Sequence, residues 1–403
     1  MVPLSGFITN PQFVEYARKK QGICFNFAAI ERKEEEMAKI KKIAVMGGGN
    51  GAHAMAADLT MKGYEVNMCE APEFRENLSV TLERQAIDFI DAWGEKHTVK
   101  INKVTTNFAE ALKGASYIML AVPALGAKSF FNLMIPYLED GQTIIKWAGN
   151  FSALLFANML KEKGVKKDIT LAEANTLPWG CRLAAPGTVQ IMVWVTKHLF
   201  ATLPTKNIDR VIDGVKNMYP VVAGENVLAT SLNNLNPIVH PIGTVMNAGW
   251  VDTIGKDFYF YRDGNTLSIS RGIKAIFEEV TKVGNAIGVR MLEYPEEDFW
   301  KKSAIMSTYG RASFDKEGLV ARISGPSSVK SRYITEDVPY GLVPLAKLAR
   351  KFNVSTPIID AVIELASVIN QTDYRKEGLS LEELGLADLS KEKLAKFLQE
   401  GFI

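Results

Sequence analysis

Short apolar segments alternate with helix-length ones to about residue 228, and helical periodicity follows. Together they predict an α/β chain, with a doubly wound parallel sheet over 41–228 and an all-α region over 229–403. Three observations carry this reading. Lys42 to His53 passes from a β run into a helix through glycines. Continuous apolar strands recur at 116–122, 143–147 and 169–173. After residue 228 the apolar spacing changes to that of amphipathic helices.

The most informative stretch is Lys42-Ile-Ala-Val-Met-Gly-Gly-Gly-Asn-Gly-Ala-His53. Ile43, Ala44 and Val45 form a buried strand, and Ala52, Met55, Ala56 and Leu59 form a helical stripe that stops at Gly63. Gly47, Gly49 and Ala52 fit the three small positions of a dinucleotide-binding turn, with Asn50 and Gly51 beside them. These positions serve the tight turn, the approach of backbone to pyrophosphate, and close helix packing. The next strand, Tyr64 to Cys69, ends in Glu70, at the spacing where a carboxylate bonds ribose hydroxyls. A carboxylate repels a 2′-phosphate, so NAD(H) is favoured over NADP(H), although Arg75 could reach a phosphate if its loop folds back. This turn makes the sheet region Rossmann-type.

The alternation continues with a helix closing at Ala109 to Gly114, then the strand Ser116 to Val122, which Pro123 ends. Ligands of doubly wound sheets lie beyond the strands' carboxyl ends, so Val122, Pro123 and Ala124 are placed near a nicotinamide. Next come strand Thr143 to Trp147, a helix through Leu154 to Leu160, and strand Ile169 to Glu173. Gln190 to Thr196 is one more strand, Ile208 to Met218 a helix on the same sheet, and a last short strand is expected near Val227.

In the second half, Ile273, Ile276, Phe277, Val280 and Val283 mark one helix, and Leu342, Leu345 and Leu348 another. Pro357 opens a third, and Ser380 with Glu383 has capping-box spacing before a polar C-terminal helix.

Composition limits the function classes. At 403 residues and 47% hydrophobic, the chain can bury large cores, and 47 basic against 45 acidic residues leave a net charge of +2 with no pull toward nucleic acid. No apolar run is long enough for a bilayer, and the start lacks a signal-peptide layout, so a cytoplasmic location is expected. Cys24, Cys69 and Cys181 are scattered, with no disulfide framework and no metal-ligand spacing. Residues 1–40 are an N-terminal extension. The Glu31-Arg-Lys-Glu-Glu-Glu36 run before Met37 reads like a translated ribosome-binding site, which puts the functional start at Met37, with a true N-terminal helix as the alternative.

Only His240 of the four histidines lies in a segment with the look of an active site, Leu232 to Asn247. Histidine titrates near neutrality and suits acid/base work in hydride chemistry, although a structural histidine is the commoner case. Ser331 to Leu342 supplies Arg332, whose fork can clamp a carboxylate, and Asp337, which can orient an imidazole.

With these residues the chain resembles the octopine/nopaline (opine) dehydrogenases from Ile43 to the C-terminal helices. The likeness rests on Gly-Gly-Gly-Asn-Gly-Ala at 47–52, Leu-Ala-Val-Pro-Ala at 120–124 and Glu-Ala-Asn-Thr-Leu-Pro-Trp-Gly-Cys-Arg at 173–182. Asn236-Pro-Ile-Val-His240 and Arg332 through Gly341 add to it. Trp179 stands where the family would have tyrosine. The resemblance implies a 6-phosphogluconate-dehydrogenase-like helical domain, and NADH-dependent reductive condensation of an L-amino acid with a 2-keto acid such as pyruvate. It makes His240 and Asp337 the proton-transfer pair and Arg332 the keto acid's anchor, with Asn236 beside the substrate. Trp250, Tyr259 and Trp300 are candidate pocket aromatics. Glu293, Glu296, Glu297 and Asp298 would suit a cationic amino acid or a solvated face. The rivals are a simple 2-keto acid, ketopantoate-type or glycerol-3-phosphate-type reductase and, further off, a non-catalytic NAD(H) sensor. The former rely on a catalytic lysine that has no counterpart beside Asn236 or His240. Oligomeric state is not legible, and a homodimer through the helical region is the working expectation.

Overall fold

The computed structural model describes residues 42–195, 197–300 and 325–401. The extension and the proposed start at Met37 lie outside the described residues.

The strand β1 (Lys42–Met46) runs into α1 (Asn50–Met61), then β2 (Glu65–Cys69) and a 3-10 segment, Pro72–Leu78. After α2 (Ser79–Arg84) come β3 (Ala86–Ile90), β4 (Lys96–Lys100) and β5 (Lys103–Thr105), then α3 (Phe108–Leu112) and β6 (Tyr117–Leu120). The chain continues through α4 (Ala124–Met134), β7 (Thr143–Trp147), α5 (Ser152–Glu162) and β8 (Thr170–Ala174). β9 (Trp179–Ala185), β10 (Thr188–Trp194), β11 (His198–Leu203), α6 (Ile208–Met218) and β12 (Val221–Ala223) complete the β region.

Eight strands form one sheet in the order β12-β11-β8-β7-β6-β1-β2-β5. From β5 to β8 every pairing is parallel, and the stretch β5-β2-β1-β6-β7-β8 has the strand order of a dinucleotide-binding sheet. The direction of winding reverses between β1 and β6, which pair Met46 with Leu120. A crevice therefore opens beyond their carboxyl ends.

Two expectations are corrected. Gln190 to Thr196 does not extend the main sheet. β10 belongs to a second, four-stranded sheet, β4-β3-β10-β9, which the sequence reading missed because β3, β4 and β9 are short and carry no regular apolar/polar alternation. That sheet covers α1, which is why Gly51 to Leu59 are all buried and why this alanine-rich helix has no polar face there. The last short strand, expected near Val227, lies a few residues earlier. β12 ends at Ala223, and Val227 begins a helix that Asn226 caps by accepting from the amides of Leu228 and Ala229.

The remaining elements are helical: α7 (Val227–Leu232), α8 (Asn236–Met246), α9 (Ala248–Ile254), α10 (Leu267–Ile287), α11 (Arg332–Thr335), α12 (Val343–Lys351), α13 (Pro357–Asn370), α14 (Tyr374–Glu377) and α15 (Lys391–Glu400). In α10, Ile269, Ile273, Ile276, Val280, Val283 and Ile287 are buried along one face. The capping-box bonds of Ser380 and Glu383 form, each 3.1 Å, but they close a turn, and the polar helix starts at Lys391 behind its own cap, Ser390.

Two glycines set how closely the helical layer packs at α8. A Cβ on Gly243 would lie 2.3 Å from Phe260 Cζ, and one on Gly341 would lie 2.4 Å from Pro237 Cγ. Gly243→Ala therefore overpacks the α8 contact, at an expected cost of about 1–3 kcal/mol. A urea titration should show an earlier midpoint for the variant, and an unchanged midpoint would mean that Phe260 moves aside freely.

Candidate active site

One cleft of ≈ 440 Å³ joins the crevice of the sheet to the helical layer, a size ordinary for small-molecule sites. Its walls include Gly49, Asn50, Gly51, Val122 and Pro123 from the sheet side and Asn236, His240, Arg332 and Asp337 from the helical side. The structure thus brings together residues far apart in sequence that were singled out for different roles.

The glycine turn fits a dinucleotide. Gly47 has φ +123, a conformation side chains disfavour, and its amide donates to Cys69 O at 2.7 Å, tying the turn to β2. A Cβ on Gly48 would meet Glu70 Oε2 at 2.7 Å, so this glycine admits the carboxylate. Around Gly49 nothing lies within 4 Å of such a Cβ, leaving the N-terminus of α1 open to a pyrophosphate. Gly47, Ala52 and Glu70 stand behind the cleft wall. Glu70 is buried and accepts from the Ala71 amide at 2.8 Å, and burial raises its pKa, countered by those backbone donors. Asn50 Oδ1 accepts from the Leu183 amide at 2.9 Å, which fastens the glycine turn to β9. Arg75 is exposed on the 3-10 segment that follows Glu70.

On the helical side, His240 sits on the fifth residue of α8, buried, with Nδ1 2.8 Å from Asp337 Oδ2. Asp337 is also buried. Desolvation raises its pKa, while the hydrogen bond and charge of His240 pull it back. The imidazole lies flat on the Tyr333 ring, with centroids 3.8 Å apart and planes within 2°. Its Nε2 is 3.0 Å from the hydroxyl of Tyr261. Arg332, exposed at the start of α11, is 3.5 Å from Glu336. The other oxygen of Glu336 accepts from the Ala124 amide at 2.7 Å, so one carboxylate links the N-terminus of α4 to the segment carrying Arg332. The Asn236 amide is held by Asn234 Oδ1 at 3.0 Å.

Sequence reasoning missed Lys146, Arg182, Tyr333 and Glu336 on the cleft wall. Lys146 could not be found because it lies in an apolar strand, and only the fold turns its ammonium toward Trp147 O (2.9 Å) and Ala148 O (3.1 Å). Arg182 closes the Glu173 to Arg182 motif and was available as a signal. Trp250, Tyr259 and Trp300 are not on this cleft's wall, and Trp250 is 61% exposed. Of the acidic group, Glu296 pairs with Lys274 at 2.7 Å, whereas Asp298 is buried. Away from the cleft, ligand atoms of Asp91, Glu95 and His97 converge within 4.8 Å. There Asp91 Oδ1 already accepts from the amides of Trp93 and Glu95, so the group closes a hairpin turn.

A doubly wound dinucleotide sheet facing a helical layer that presents a buried histidine and aspartate defines a two-part NAD(P)-dependent oxidoreductase. Residues 42–169 match the NAD-dependent glycerol-3-phosphate dehydrogenase N-terminus, and residues 223–370 the alpha-helical domain of NAD/NADP octopine/nopaline dehydrogenase. The opine dehydrogenase of Arthrobacter sp. (strain 1C) is 33% identical over 359 residues, covering 88% of this chain and 98% of that protein. The opine dehydrogenase of Haliotis discus hannai is 27% identical, with 81% and 89% covered. The chain belongs to the opine dehydrogenase family, enzymes that act on CH–NH groups. Octopine dehydrogenase solved with NADH and L-arginine shares the fold, with a TM-score of 0.63, 21% identity, and 87% and 99% coverage. Yersinopine dehydrogenase with NADP+ has a TM-score of 0.62 at 14% identity, with 90% and 98% covered.

Lys146 makes a pH signature. Burial pulls its pKa from 10.5 to about 8, with Glu336 and Glu173 opposing. Its folded pKa lies below its unfolded one, so the stability it contributes is present above about pH 10.5 and lost as pH falls through about 8. Urea midpoints of the wild type relative to Lys146→Met should climb across that window. A constant difference would mean that Lys146 titrates as an ordinary lysine.

Proposed function

We propose that this enzyme joins the amino group of an L-amino acid to the carbonyl of a 2-keto acid, with pyruvate the first candidate, and reduces the product with NADH to an N-(carboxyalkyl)amino acid. The single observation that carries the reading is the buried His240–Asp337 bond opening on the same cleft as the glycine turn and Arg332. In this reading residues 41–228 hold the cofactor and residues 229–403 the substrate. The enzyme works in the cytoplasm as a homodimer.

NADH, when bound, supplies the hydride. Gly49, Asn50 and Gly51 would take its phosphates, Val122 and Pro123 would lie beside its nicotinamide half, and Glu70 would favour NAD(H) over NADP(H). Arg332 anchors the keto acid's carboxylate, with Asn236 beside it, and Arg182 is a second cation on the wall for a product that carries two carboxylates. His240 takes the proton that the incoming ammonium must lose before its nitrogen can attack, and returns one when water leaves. Asp337 keeps the proton on Nδ1 in the neutral ring and stabilises the imidazolium.

Absorbance of NADH is followed with pyruvate fixed and each common L-amino acid added in turn. Decay that needs both partners is expected, and decay with pyruvate alone would favour a simple keto acid reductase. His240→Ala should lower kcat by about 10²–10⁴ while leaving NADH affinity, read by fluorescence, unchanged. Equal loss of both would make His240 structural.

A further inference from the structure

Both nitrogens of His240 are engaged inside the protein. Nδ1 meets Asp337, so in the neutral ring Nε2 is the free acceptor, and it faces the Tyr261 hydroxyl at 3.0 Å. Tyr261 is not on the cleft wall. It sits in the tight helical turn Phe260–Gly264, behind His240, with its ring 6.5 Å from the imidazole. The Tyr333 hydroxyl is close enough to interact with that of Tyr261, its ring is stacked on the imidazole, and Tyr333 does line the cleft. The reactive nitrogen thus faces a phenol that is off the cleft wall, and the neighbouring phenol is on it.

We propose that Tyr261 and Tyr333 form the proton path between His240 and the substrate. This rests on the reading of His240 as the acid/base group and adds the route its proton takes. In the forward step, an N–H bond of the incoming ammonium breaks and Tyr333 Oη takes that proton. The Tyr333 proton passes to Tyr261 Oη, and the Tyr261 proton forms the Nε2–H bond of His240. Both phenols end neutral, the amine is free, and the imidazolium is held by Asp337. When the keto acid's former carbonyl oxygen is protonated and leaves as water, the same path runs backward. Phe260 stands edge-on to both His240 (6.0 Å) and Tyr333 (5.2 Å), a wall that holds the two rings in their stack.

A half-buried phenol takes a partner in any case, so a purely structural Tyr261 is the competing account. Tyr261→Phe and Tyr333→Phe keep the rings and remove only the oxygens. With the full chain and a turning-over substrate pair, the path predicts a kcat about 10²-fold lower in each, with NADH affinity and KM within about twofold. The dependence of kcat on deuterium fraction should change from curved, with several protons in flight, to straight or absent. Wild-type kcat and isotope dependence in Tyr261→Phe would overturn the path and mean that substrate displaces the phenol to meet Nε2 directly. A loss confined to denaturation midpoint would do the same.

If no amine and keto acid pair turns over, it is the functional reading that fails, and the path is then judged from the histidine. In protein labelled with 15N-histidine, with His240→Gln assigning the signal, the wild type should show a proton on Nδ1 and a hydrogen-bonded Nε2 that shifts in Tyr261→Phe. An unmoved Nε2 overturns the path whatever the substrate.

Discussion

The bond between His240 and Asp337 spans 97 residues and is buried at both ends, and much of the helical layer is arranged to make it possible. A carboxylate and an imidazole taken out of water are costly unless each finds the other at good geometry. Gly341 supplies part of that geometry, because the segment carrying Asp337 can approach α8 only where no side chain stands against Pro237. Gly243 supplies another part by letting the Phe260 ring rest on the helix one turn beyond His240. Asp337 then lies at the base of the pair, and the stacked Tyr333 ring holds the imidazole plane.

The second constraint is the closeness of α1 to everything around it. The helix is clamped between the main sheet and the four-stranded sheet, and the glycine turn at its start is pinned on one side to β2 through Cys69 and on the other to β9 through Asn50. An open face at Gly49 in so fixed a frame is preorganised, so little ordering remains when a dinucleotide arrives. Across the crevice, Glu336 spends one oxygen on the first amide of α4 and faces Arg332 with the other. The position of Arg332 is thereby coupled to the main sheet.

Lys146 on the cleft wall and Glu173 beside it form a buried layer of ionisable groups. Glu173 accepts from the Ala153 amide and from the hydroxyls of Thr230 and Ser231, while Lys146 gathers two carbonyls of the loop after β7. In that loop Ala148, Asn150 and Phe151 all have positive φ, a strained backbone that these interactions hold in place. The Phe151 amide donates to Ser231 Oγ, so the same layer ties the sheet to the start of the helical region.

Glycine spacing, strand-length apolar runs and helical periodicity are local properties, and they made the two-part architecture and the dinucleotide turn legible from the chain alone, whereas His240, Arg332 and Asp337 were singled out by residue type and by the family resemblance. The second sheet was not legible, because β9 carries no regular alternation and the place of β10 in space depends on its pairing with β3, about a hundred residues earlier. Nor were Lys146 and Tyr261. A lysine inside an apolar strand and a tyrosine in a short turn carry no periodic signal, and their direction is decided by what packs around them. The sequence by itself determined which chemical groups are present and on which elements, since secondary structure follows from neighbours in the chain. Only the tertiary structure decided which of those groups share a cleft and which nitrogen of His240 faces a phenol, because burial and hydrogen-bond geometry belong to residues that the chain keeps far apart.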